Sequence, residues 1–312
     1  MENKPAIGEG ALNKVKSKSK ARWEILRNAI VDKRLVGSGD ITFIQSVRRF
    51  DTFELFTRKQ CTCVLKPDKR SANKKKPQCS WFSYICEDIP FSKEVWIQHL
   101  FSDVNLKDIL SFNNTGNVCI WPAEEVLAYY CILNIDQFHF KSVIELGGGS
   151  SSLAGICIAL NAKSPKQILL TDGNKRCVES LEKTIEMNFK NKKNINISAS
   201  SLLWDDVGTY QQHKNAFDFV ICADCLFFDK YRQSLAETIH YVLKSSGKAL
   251  IFAPRRGHTL AQFVDISCKI FSSVTESDHY CPAIINKHET EQLNNDSYDP
   301  EIHFPVLVEL IK

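Results

Sequence analysis

Three short stretches hold the residue types that bind and activate small molecules. In the first, Val143-Ile144 leads into Glu145, Leu146 and glycines 147–149, then Ser150-Ser151-Ser152 and a helical pattern through Leu160. That order describes a buried parallel strand, a tight turn and a serine-capped helix start. Glycines at such a turn let a ligand approach the main chain with no Cβ in the way. The spacing acid-x-Gly-x-Gly differs from the G-x-G-x-x-G of dinucleotide turns, and the Lys-Ser/Thr of a phosphate-binding loop is absent. An ordinary strand-to-helix turn would read the same way, so the turn needs support from elsewhere in the chain.

The second stretch, Leu169-Leu170-Thr171-Asp172-Gly173-Asn174, ends the next apolar run in a carboxylate. A carboxylate there can accept both hydroxyls of a ribose held at the first turn; its plainer role is to cap the following helix. Trp204, in Leu202-Leu203-Trp204-Asp205, follows the third strand, where an indole can border an adenine ring or fill the core. In the third stretch, Ala223-Asp224-Cys225-Leu226-Phe227 closes the fourth strand. Asp224 can hydrogen-bond a cationic amine, and Phe227 can offer its π face to an ammonium or a sulfonium. The bland alternative is a helix-capping Asp beside a packed Phe.

These positions depend on an alternation of strand and helix that starts at residue 116. Pro122 suits the first turn of a helix through Glu124, Leu127 and Cys131. Strands are expected at 143–146, 167–171, 195–200, 217–222 and 247–253, with helices at 175–189, 231–243 and 259–271. Residues 274–280 and 304–311 suit an antiparallel pair at one edge, with an acidic, Asn-rich loop between them. The pattern predicts an α/β fold, a Rossmann-like doubly wound sheet whose ligand sits outside the carboxyl ends of its strands. Ahead of it, residues 1–20 read as a disordered basic tail. Residues 21–115 read as one helix (22–35) and a small β-rich extension, with strands at 44–50, 53–56, 81–86 and 95–100. A Lys-rich loop spans 58–78.

Composition limits the function classes. Of 312 residues, 44% are hydrophobic and 24% charged, as expected of a soluble globular chain, and no apolar run reaches membrane-spanning length. The expected location is the cytoplasm, with the nucleus also open to it. Most of the 12 cysteines sit singly in apolar segments, which suits reduced thiols. Cys61-Thr62-Cys63 with Cys79 and Cys86 matches no standard zinc spacing, so no metal is expected. A net charge of +4, concentrated at residues 14–20 and 66–76, favours an acidic partner but is too weak to argue for nucleic acid.

Taken together, Trp121, Glu145-x-Gly147-x-Gly149, Asp172, Trp204 and Asp224-x-x-Phe227 resemble the family 16 group of protein methyltransferases, which have the class I seven-strand fold and modify protein lysines. SVRRFDTFELF (46–56), FNNTGNVCIWPAEEVLAYYC (112–131), CADCLFFDKYRQSL (222–235) and GKALIFAPRRG (247–257) narrow the likeness to the branch acting on calmodulin. The resemblance implies S-adenosylmethionine as cofactor and stepwise transfer of methyl groups, up to three, to one lysine of calmodulin by a monomer. It implies that Trp121, Glu145, Gly147, Gly149, Asp172, Trp204 and Ala223 border the cofactor, and that Asp224 and Phe227 shape the lysine entrance. It also implies that Arg255 and Arg256 grip acidic groups of the partner; without it, they read equally well as a solvated loop. The competing readings are a different lysine-bearing protein and a nucleic-acid-binding module using Lys66–Lys76.

Overall fold

The computed structural model describes residues 52–61, 81–99, 120–190, 192 and 194–312. The chain divides into a unit of residues 1–51 and a unit of residues 52–312, and every described residue belongs to the second. The expected helix at 22–35, the strand at 44–50 and the lysines at 66–76 lie outside the described residues.

The second unit opens with three antiparallel strands in sequential order: β1 (Thr57–Gln60), β2 (Trp81–Ile85) and β3 (Val95–Gln98). There follow α1 (Pro122–Leu133), β4 (Ser142–Leu146), α2 (Leu153–Asn161), β5 (Gln167–Asp172), α3 (Lys175–Phe189), β6 (Ile197–Ser201) and β7 (Phe217–Ala223). The chain continues through α4 (Arg232–Val242), β8 (Leu243–Pro254), α5 (Thr259–Ser267), β9 (Ser273–Ser277), α6 (Pro282–Asn294), α7 (Pro300–His303) and β10 (Pro305–Ile311). Seven of these strands form one sheet in the order β6-β5-β4-β7-β8-β10-β9. The first five run parallel and β10 is antiparallel to both its neighbours.

This is the doubly wound α/β sheet expected from the alternation of elements. Because β4 adds β5 and β6 on one side and β7 on the other, a crevice opens at the carboxyl ends of β4, β5 and β7. Period-two alternation assigns the faces. Ile144 and Leu146 pack into a cluster with Leu235, Ile239 and Phe263 of α4 and α5. Val143 and Glu145 therefore face the opposite layer, where α1 and α2 pack. The three-strand sheet is tied to that layer: the Trp96 N–H donates to Asn188 Oδ1 at 2.9 Å and Asn188 Nδ2 donates to the Trp96 carbonyl at 2.7 Å.

Two local expectations are corrected. Residues 53–56 are not a strand; the next four are, so the segment after Arg58 begins as β1 rather than as loop. The N–H groups of Phe53 and Leu55 donate to the two oxygens of Glu125, at 2.8 Å each, so a side chain takes the bonds a neighbouring strand would have made. Residues between β9 and β10 are not an open loop but α6 and α7, each started by a proline at the helix N-terminus. The pairing of β9 with β10 is as expected.

Candidate active site

The turn after β4 is built from two left-handed glycines, Gly147 (φ 66°) and Gly149 (φ 61°). A side chain at either would be strained. A Cβ on Gly147 would also lie 2.7 Å from Cys225 Sγ and 3.1 Å from the Trp204 ring, so strand ends β4, β6 and β7 meet there. The turn is pinned to β5: the Gly148 N–H donates to the Thr171 carbonyl at 3.0 Å and the Thr171 hydroxyl donates to the Glu145 carbonyl at 2.7 Å.

Beneath the turn lie two carboxylates. Glu145 Oε2 accepts the Gly155 N–H at 2.8 Å, and Glu124 Oε1, from α1, accepts the Leu153 N–H at 2.7 Å and the Ser151 hydroxyl at 2.6 Å. Both are buried, and burial followed by the nearby Glu124 charge drives the Glu145 carboxyl well above its usual range. The Glu145 side chain, expected to border a cofactor, supports the turn from below. Strand alternation turned it towards α2, and the bare glycines 148 and 155 made the room. The first turn of α2 thus already has acidic side chains as its hydrogen-bond acceptors, an arrangement suited to a ligand that brings no phosphate to it.

Asp172 ends β5, half-buried. Its Oδ2 accepts the Gly149 N–H at 3.0 Å and its Oδ1 the Asn174 N–H at 2.7 Å. Burial pushes its carboxyl up to about 6, against the lowering effect of those two donors. Each oxygen keeps a further lone pair, so the carboxylate suits two donors spaced like a ribose diol. The helix cap is a different residue: Asn174 accepts the Arg176 N–H at 2.9 Å. Trp204 is half-buried between Gly147 and the core cluster. Trp121 caps α1 with its main chain, its carbonyl accepting the N–H groups of Glu124 and Glu125 at 3.0 Å each. The glycine turn, Asp172, Trp204 and Ala223 converge at the carboxyl end of the sheet, and this donor and acceptor set fits a nucleoside cofactor.

Across the crevice, Asp224 has a left-handed backbone (φ 53°) fixed by its N–H donating to the Phe252 carbonyl at 2.8 Å. Its carboxylate takes both arms of Arg256, Nη1 to Oδ1 at 2.6 Å and Nη2 to Oδ2 at 2.8 Å. Arg256, expected as a surface grip for a partner, is the bidentate partner of Asp224. Arg255 is more open, with contacts of 3.5 Å to Glu276 and 3.6 Å to Asp278. Half-buried Phe227 packs on Phe228, ring centroids 4.3 Å apart.

Three supports escaped the reading of the sequence. Glu124 and Glu125 look like acids on an exposed first helical turn, yet both are buried. Buried Arg232 donates to the Leu226 carbonyl at 2.8 Å and pairs with Asp229 and Gln262, holding the loop that carries Phe227. Cys222 and Cys225 form a C-x-x-C across the end of β7, in which a hydrogen bond with Cys222, then burial, raises the Cys225 thiol well above its usual range. Cys61 and Cys86 are buried thiols, and Cys63 and Cys79 lie outside the described residues.

Among the described residues, no helix is long and apolar enough to cross a membrane. Comparison with known proteins adds identity to this geometry. The chain is 30% identical over 307 residues to calmodulin-lysine N-methyltransferase of Arabidopsis thaliana, covering 94% of this chain and 97% of that one. Over 139 residues it is 30% identical to the mouse protein-lysine N-methyltransferase EEF2KMT, 42% of this chain and 41% of that one. Among solved structures, an S-adenosylmethionine-dependent methyltransferase from Mesorhizobium loti aligns at TM-score 0.42 and 11% identity, over 60% of this chain and 98% of that one. The lysine methyltransferase profile matches residues 105–268. With a relative aligned along nearly the whole chain and a profile spanning the glycine turn, Asp172, Trp204 and Asp224-x-x-Phe227, the chain belongs to the lysine methyltransferase family, whose members transfer methyl groups from S-adenosylmethionine to protein lysines.

Proposed function

We propose that the acceptor is a lysine of calmodulin, methylated in up to three successive rounds by a monomeric enzyme in the cytoplasm or nucleus. The alignment over 94% of this chain with a relative named for calmodulin carries this reading, because it runs through the segments outside the cofactor crevice as well as through it. A net charge of +4 suits an acidic protein partner.

Bound S-adenosylmethionine supplies an electrophilic methyl group on a sulfonium, a good leaving group. The chain's own task is placement. In this reading Asp172 accepts the ribose hydroxyls, the main chain at Gly147, Gly149 and Ala223 lines the amino-acid end, and Trp204 and Trp121 border the cofactor. Glu145 acts from beneath by holding α2. Asp224 orients the incoming amine, and Phe227 presents its π face to the positive charge that passes from sulfur to nitrogen. Lysine, with an ordinary pKa of about 10.4, must arrive uncharged, and a narrow crevice next to a sulfonium favours the neutral form. Arg255, held only by long contacts, is the rim residue able to exchange its own acids for those of a partner.

The test is mass spectrometry of unmodified calmodulin after incubation with the protein and S-adenosylmethionine. One to three added methyl groups on a single lysine peptide support the proposal. Unlabelled calmodulin beside a labelled second protein in lysate would overturn it in favour of another lysine acceptor.

A further inference from the structure

Resting on the placement of Asp224 at the lysine entrance, we infer that Arg256 is a positioning residue which neutralises Asp224, so that the acceptor lysine enters as the free amine. A lone carboxylate beside the entering nitrogen would work against the reaction. It would attract lysine, but it would also hold it as the ammonium, which has no lone pair to attack a methyl carbon. The bidentate pair at 2.6 and 2.8 Å counters that charge.

The pair is built rather than incidental. Both residues have left-handed backbones, φ 53° at Asp224 and 40° at Arg256, a conformation side-chain-bearing residues rarely adopt. Each is fixed by a short main-chain bond: Asp224 N–H to the Phe252 carbonyl at 2.8 Å, and Arg256 N–H to the Glu301 carbonyl at 2.7 Å. The Asp224 and Arg256 side chains are 11% and 27% exposed, so water screens the pair only partly.

Other charged groups surround it. Arg255 is engaged by Glu276 and Asp278. Glu301, on α7, meets Arg256 through its main chain. On the loop after β7, Asp229 is paired with buried Arg232, and the Cys225 thiol stays protonated at neutral pH. Asp172, at the end of β5, titrates near 6, below the pH range in which lysine loses its proton. The sulfonium adds a positive charge only when the cofactor is bound.

The experiment compares the pH dependence of kcat at saturating acceptor, which reports protonation within the enzyme–acceptor complex, for the parent, Arg256→Gln and Arg256→Lys. The acceptor is calmodulin or, should the parent leave it unlabelled, the protein the parent labels in lysate; a wrong acceptor thus reads differently from a wrong role for Arg256. The acidic limb should move about one pH unit higher in Arg256→Gln, giving a roughly tenfold loss at neutral pH that closes as pH rises. Affinity for S-adenosylhomocysteine should stay within about twofold of the parent. Arg256→Lys, which keeps the charge without the fork, should recover most of the shift. In Asp224→Asn/Arg256→Gln, turnover falls but the limb returns to the parental position, because no carboxylate remains to favour the ammonium. A pH-independent loss in Arg256→Gln, or a limb still displaced in the double variant, would overturn the inference.

Discussion

The carboxylates of Glu124 and Glu145 converge on the first turn of α2, the former taking the Leu153 N–H and the latter that of Gly155. Two acids from different elements thereby supply from below what the capping serines were expected to supply in line; Ser152, at the cap, is left-handed at φ 39° and makes no side-chain cap bond.

This pairing fixes the expected behaviour of Glu145. Its folded-state carboxyl lies well above the 4.5 of an exposed glutamic acid, so its contribution to stability falls as pH rises through and beyond 4.5. Glu145→Gln keeps an acceptor for Gly155, carries no charge, and should gain on the parent as pH rises from 5 to 9. Glu145→Ala leaves that N–H unpaired beside a cavity and should cost about 2–4 kcal/mol. Urea unfolding across this range distinguishes them; parallel pH curves for the parent and the Gln variant would contradict the assignment.

Asp172 should couple cofactor binding to pH. Its value of about 6 exceeds the exposed 3.8, so the apo fold loses stability as pH climbs through this window, roughly 1–2 kcal/mol after allowance for solvent screening. Asp172→Asn should abolish that slope while weakening S-adenosylhomocysteine on the order of 100-fold, as expected when two charge-assisted bonds are lost. Calorimetry and thermal melts at several pH values check both; unchanged affinity would remove Asp172 from the ribose role.

Glu125 anchors the segment leading into β1. Glu125→Ala strands the buried N–H of Phe53 and Leu55 and should destabilise the fold by about 2–4 kcal/mol, with hydrogen exchange accelerated first at residues 53–56. Glu125→Gln, which keeps one of the two acceptors and turns its NH2 towards the other N–H, should lose less than the Ala variant. Equal loss in both variants would point to the charge instead.

Asp224→Asn keeps a residue type that tolerates the left-handed backbone, so it separates chemistry from folding. Turnover should fall roughly 10- to 100-fold while S-adenosylhomocysteine binds as in the parent. Unchanged turnover would take Asp224 out of the lysine entrance.

The order of strands and helices, and the set of strand ends bearing Glu145, Asp172, Trp204 and Asp224, were legible in the sequence because apolar periodicity and turn glycines are local signals. Periodicity even determines which way Glu145 points, once the layer that α2 covers is known. Tertiary structure alone decided the rest. Glu125 meets Phe53 across 72 residues of chain and Arg256 meets Asp224 across 32. Nothing in Arg255-Arg256 tells which arginine faces inwards, nor in Glu124-Glu125 that both acids are buried. A hydrogen bond is decided by where two distant main chains come to rest, and no local pattern encodes that distance.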